Sequence, residues 1–96
     1  MSGKRQARQA LRDPEAGALL KELREGRGLT REALPHAMLL AKVPRENIPS
    51  IKTIWRVEEV GAVPSVRYRF GLAQFHGRDL KEIWQPRPTR SGAIAA

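Results

Sequence analysis

Two cations four residues apart, Lys52 and Arg56, are the side chains of this chain best suited to chemistry with a partner. An arginine can donate two parallel hydrogen bonds to a matched pair of acceptors, and a lysine can reach the same acceptors. Ile51 adjoins them with an apolar side chain. Covalent chemistry has much less to work with. Ser50, Ser65 and Thr30 each stand where a helix cap is expected, and none has an evident base with an orienting acid behind it. His36 and His76 lie far apart with no carboxylate cluster beside them, so surface or capping roles are expected in place of zinc binding. Cysteine is absent, which removes thiolate sites and disulfides and suits a reducing compartment. With no glycine-rich phosphate loop either, the expectation is no catalytic residue, no metal and no cofactor.

Helices must hold these cations in place. The segment 1–14 is polar and basic and reads as a flexible arm. Over 15–26, Leu19, Leu20 and Leu23 recur at helical spacing opposite Lys21, Glu22, Arg24 and Glu25, which predicts a first helix. Gly28 suits a left-handed cap, and Thr30 can open a second helix over 30–41, kinked or started late by Pro35. Two prolines bracket Arg45, Glu46 and Asn47, so 43–49 reads as an exposed loop. Ser50 then caps a third helix that runs to Val60 and ends at Gly61. It carries Ile54 and Val57 on one face and Lys52 and Arg56 on another. A fourth helix follows Pro64 and Ser65 with Val66, Phe70, Ala73 and Phe75 as its apolar side, and His76 and Gly77 stop it. Asp79 caps a short last helix bearing Leu80, Ile83 and Trp84, before Pro86 and Pro88 forbid continuation into a mobile tail, 85–96. Leu19, Leu23, Leu34, Met38, Ile54, Val57, Phe70 and Leu80 are the expected core. Trp55 is expected to be half-buried packing in preference to a partner-facing aromatic.

Charge points to the kind of partner. Eighteen Lys and Arg against ten Asp and Glu leave a net +8, and every acid lies between Asp13 and Glu82. A near-neutral domain flanked by cationic segments suits a polyanion. No apolar run approaches the roughly 18 residues of a membrane span, and the basic start lacks a signal peptide's apolar stretch, so a cytoplasmic protein is expected.

Leu23, Arg24, Gly28, Leu29, Thr30 and Leu34, then Ser50, Thr53, Ile54, Arg56, Val57, Glu58 and Pro64, then Leu72, Ala73, Phe75, Gly77, Asp79, Leu80 and Ile83 form three blocks in order. Together they resemble the Cro-repressor, or Xre-like, helix-turn-helix family. The resemblance implies a compact five-helix, lambda-repressor-like domain over 15–84. Ile51, Lys52 and Arg56 would face base edges, and Thr30, Arg31, Ser50 and Thr53 would approach phosphates. Helix N-termini suit the phosphate role because they carry free donors and partial positive charge. It also implies a bracing pair between Arg24 and Glu58. The chain departs from the family pattern at Pro35, at about nine extra residues between Leu34 and Ile54, an insertion that costs little in itself, and at Gly61, which falls one residue late.

The expected function is a sequence-specific, DNA-binding transcription regulator, a small repressor that occludes a promoter. Its partner would be double-stranded DNA, with no small-molecule ligand. Ile83 and Trp84 either pack inward or form a homodimer seam, since small members of that family commonly pair through their C-terminal helices. The rivals are an architectural or excision-type DNA-binding factor and an antitoxin-like protein-interaction module on the same fold.

Overall fold

The computed structural model describes residues 12–84. Among them are five α-helices and no strand, only an isolated bridge between Arg12 and Ala62. The domain is all-α.

The first helix, α1 (Pro14–Gly26), starts where Asp13 accepts a hydrogen bond from the Ala16 N–H at 3.1 Å. Pro14 costs nothing there, because a first-turn N–H has no helical partner to lose. The N–H of Asp13 also donates to the Gly61 carbonyl at 2.7 Å, and Arg12 Nη1 donates to the Val60 carbonyl at 3.1 Å. The last residues assigned to the arm, Arg12 to Pro14, are therefore tied to the folded body. The rest of the arm and the tail lie outside the described residues.

The second helix, α2 (Leu34–Leu40), begins late, with Pro35 in its first turn. Ahead of it the Thr30 hydroxyl accepts from the Ala33 N–H at 3.1 Å and closes a separate turn. The chain leaves α2 through Lys42, whose φ of +71° is left-handed, and makes a 3-10 turn, Arg45–Asn47. The third helix, α3 (Ile51–Trp55), runs directly into a π-helical turn, Arg56–Val60, which Gly61 ends at φ +79°. A π turn holds one residue more than an α turn, and this is how the late Gly61 is accommodated. The fourth helix, α4 (Val66–His76), and the short fifth, α5 (Leu80–Ile83), complete the domain. In α5 the Glu82 carboxylate accepts from the Asp79 N–H at 3.1 Å.

Leu20, Leu34, Met38, Val43, Ile54, Val57, Leu72, Ala73 and Ile83 form the core, with Leu19, Leu29, Ile48, Phe75, Leu80 and Trp84 packed partly against it. Two glycines inside helices show how closely the elements approach. A Cβ on Gly17 of α1 would fall on the Val57 carbonyl oxygen, and one on Gly71 of α4 would fall on the Asn47 carbonyl oxygen. A helix-interior glycine is otherwise disfavoured by about 1 kcal/mol relative to alanine. Here each lets a neighbouring backbone come into contact.

Three expectations are corrected. The segment 43–49 is exposed only in part: Pro44, Arg45 and Glu46 face solvent, but Val43 and Pro49 are buried, and the Arg45–Asn47 turn packs on α4 at Gly71. That docking sets the rotation of α4. Its inward side is Leu72, Ala73 and His76, which leaves Val66 exposed and Phe70, placed in the core by its spacing, 52% exposed. Leu23 is only partly covered and lies outside the core cluster.

Candidate functional site

Helix α3 and its π turn are gripped on one side and free on the other. The grip begins at Ser50, whose hydroxyl accepts from the Thr53 N–H at 3.2 Å and donates to the Thr53 hydroxyl at 3.1 Å. Pro49 before it is fully buried. Ile54 and Val57 enter the core, and the π turn lies against α1 at Gly17.

Charge completes the grip. Arg24 of α1 donates through Nε and Nη2 to the two carboxylate oxygens of Glu58 at 2.8 and 2.9 Å, and through Nη1 to the Leu29 carbonyl at 2.6 Å. Both partners are nearly excluded from solvent, at 6% and 2%. A buried carboxylate is tolerable only when its lone pairs are filled. A third donor serves Glu58 here, because Arg31 Nη1 reaches it at 3.0 Å and also reaches Glu59 at 2.7 Å. Lys21 closes the series on Glu59 at 3.1 Å. The hydrogen bond from Arg31, and then that from Lys21, holds the Glu59 carboxyl below its ordinary pKa. Arg24 and Arg31 are held correspondingly more firmly in their charged forms, each chiefly by the hydrogen bond it donates to its carboxylate partner, Glu58 for Arg24 and Glu59 for Arg31.

The opposite side is open. Ile51 is 43% and Trp55 47% exposed, and Lys52 and Arg56 are exposed beside them. Among the described residues neither Lys52 nor Arg56 has an ion-pair or side-chain hydrogen-bond partner. A groove next to Arg56 separates α3 from the start of α4 and is lined by Thr53, Ala62, Pro64, Ser65 and Tyr68. The guanidinium of Arg67 sits 5.3 Å from the centre of the Tyr68 ring, which adds a second cation near this groove.

The structure thus brings Ser50, Ile51, Lys52, Thr53 and Arg56 onto one short helix and its cap. It sets Thr30 apart, in the turn ahead of α2, with its hydroxyl capping Ala33. Arg31, assigned to phosphates by resemblance, has its guanidinium in the Glu58 and Glu59 pairs. Its third-helix partners, two adjacent acids, were the available signal. Trp55, expected to pack, is exposed on the Lys52 and Arg56 side; its place four residues after Ile51 could have shown this.

Two residues at the end of the described segment turn inward. Ile83 is fully buried and Trp84 packs on the core, so within this pair Ile83 has the core role and not that of a seam. His76, expected at the surface or in a cap, is also buried, in contact with Phe75 at a ring-centroid distance of 5.0 Å. Neither ring nitrogen has a hydrogen-bond partner among the described residues. Burial, with Arg27 and Arg78 adding to it, lowers its pKa to about 4. The imidazole is therefore a neutral core ring at ordinary pH. It faces a small cavity shared with Leu20, Leu34, Ile54, Glu58 and Leu72.

No group of three or more His, Asp and Glu suited to a metal ion occurs among the described residues, and no helix there is long and apolar enough to cross a membrane. No protein-family model matches the chain, and no curated protein or solved structure matches it.

Proposed function

We propose that this protein is a sequence-specific DNA-binding regulator that lays the open side of α3 in the major groove. The observation that carries the reading is the division of that helix. One side is fixed by core packing and a bidentate ion pair, and the other presents Ile51, Lys52, Trp55 and Arg56 to solvent with both cations unengaged among the described residues. A reading head needs this combination, because base edges are discriminated by donors held at fixed positions. The net charge of +8 supports a polyanionic partner.

In this reading α2, the inserted segment and α3 act as a helix-turn-helix with a long, packed turn, in keeping with the Cro-like resemblance. Ser50 and Thr53 at the start of α3 approach phosphates, as does Thr30, while Arg56 and Lys52 donate to guanine. The protein acts in the cytoplasm by occupying a promoter and is not an enzyme. If it pairs with a second copy, half-sites about 34 to 36 Å apart follow from one turn of the duplex.

The test is enrichment of bound duplexes from a random pool at two salt concentrations, with this protein and with a Lys52→Ala, Arg56→Ala double variant. Recovery of one preferred sequence that the variant no longer selects is expected. Sequence-blind, salt-sensitive binding would replace this reading with an architectural factor, and absence of binding would replace it with a protein-interaction module.

A further inference from the structure

We infer that Ile51 and Trp55 together form an apolar reader of thymine 5-methyl groups, flanked by the Lys52 and Arg56 row. The inference rests on the DNA-binding reading above and says which bases the open side of α3 prefers.

Ile51 and Trp55 are one turn apart in α3 and lie on the same side of it, each close to half exposed. Among the described residues the Trp55 ring has no ring or cation partner. Apolar surface left in water on a helix whose other side is well packed is surface that a partner would cover.

Charge decides which partner. Lys52 and Arg56 each follow an apolar residue by one position and run parallel to the pair. A second copy docking on this face about a twofold axis would bring Lys52 and Arg56 of both copies together, four cations in all, which opposes self-association. A duplex is complementary to that row, and the thymine 5-methyl is the apolar group that the major-groove edges of its base pairs present. An apolar pair beside a row of cations therefore fits a site in which thymines adjoin guanines.

The experiment uses the duplex that the full chain selects from the random pool, remade with deoxyuridine in place of each thymine. This change removes methyl groups and leaves every hydrogen-bonding atom. Binding of the unaltered protein should weaken about fourfold for each methyl it covers, the ratio that burying one such group confers. Trp55→Ala should bind the thymine duplex more weakly and distinguish the two duplexes less, whereas Lys52→Ala should lose affinity while keeping the thymine-to-uracil ratio. Equal binding of both duplexes by the unaltered protein overturns the inference without involving any variant. So does a Trp55→Ala protein that keeps the full ratio, or sedimentation showing that Trp55→Ala disrupts a self-associated free protein. If no duplex is selected at all, the sequence-specific reading itself fails, an outcome distinct from selection without methyl discrimination.

Discussion

The two sides of the third helix carry the same kinds of group and use them in opposite ways. On the inner side, charge is matched atom by atom: Glu58 takes Arg24 and Arg31, and Glu59 takes Arg31 and Lys21. On the outer side Lys52 and Arg56 are left without carboxylates among the described residues. Substitutions on the inner side should therefore act on stability, and those on the outer side on recognition.

The sharpest way to break this contrast is Glu58→Ala. It strands Arg24 in a site that is 6% exposed, and losing one member of a buried pair costs about 3 to 5 kcal/mol. Chemical denaturation should show a loss of that size, and a loss below 1 kcal/mol would mean that the inner pair braces nothing. Replacing both members, Arg24→Met with Glu58→Leu, should cost less than the single change, because no charge is left buried.

Gly71→Ala comes next. Helix propensity alone predicts a gain of about 1 kcal/mol, yet the added methyl meets the Asn47 carbonyl, and overpacking of this kind costs about 1 to 3 kcal/mol. Thermal melting should show net destabilisation, while a raised melting point would detach the inserted segment from α4.

Acidification probes His76. Its folded pKa of about 4 lies below the ordinary 6.5, so between those values the unfolded chain binds the extra proton. Stability is unaffected by this group above pH 6.5 and falls as pH drops toward 4, with a slope no steeper than about 1.4 kcal/mol per pH unit. A His76→Leu variant should lack that component in denaturation curves measured across the window. Smaller still, Lys42→Gly relieves a left-handed residue, and the relief less the added chain entropy should leave a stabilisation of about 0.5 kcal/mol. On the outer side, Lys52→Ala and Arg56→Ala should move stability by no more than about 0.5 kcal/mol; a larger change would show that these cations hold the fold together after all.

Local signals gave the helices. Ser50 and Asp79 sit at helix starts, Gly61 and Gly77 at helix ends with positive φ, and Pro35 explains the late α2, whereas Asp13, which caps α1, fell inside the segment read as an arm. The outer residues of α3 could be read from the cap and the apolar spacing behind them. What escaped depends on tertiary contact. The rotation of α4 is fixed by the approach of Asn47 to Gly71; apolar spacing alone put Phe70 inside, and His76 was expected at the surface or in a cap. The pairing of Arg31 required knowing that the turn before α2 lies over the π turn. Gly17 and Gly71 were the unused signals, since a glycine inside a helix marks a backbone nearby.

The seating of Asn47 on Gly71 also bears on the order in which the protein matures as it is synthesised. The segment leading into α3 rests on a helix made later, and the chain emerges from its N-terminus at about 5 to 20 residues per second. Until Val66–His76 has emerged, the Arg45–Asn47 turn lacks the surface at Gly71 on which it rests, and α3 is supported from the α1 and α2 side. A nascent or prematurely ended chain can thus possess Lys52 and Arg56 without presenting them in a fixed arrangement, and that arrangement is complete only with the second half of the domain.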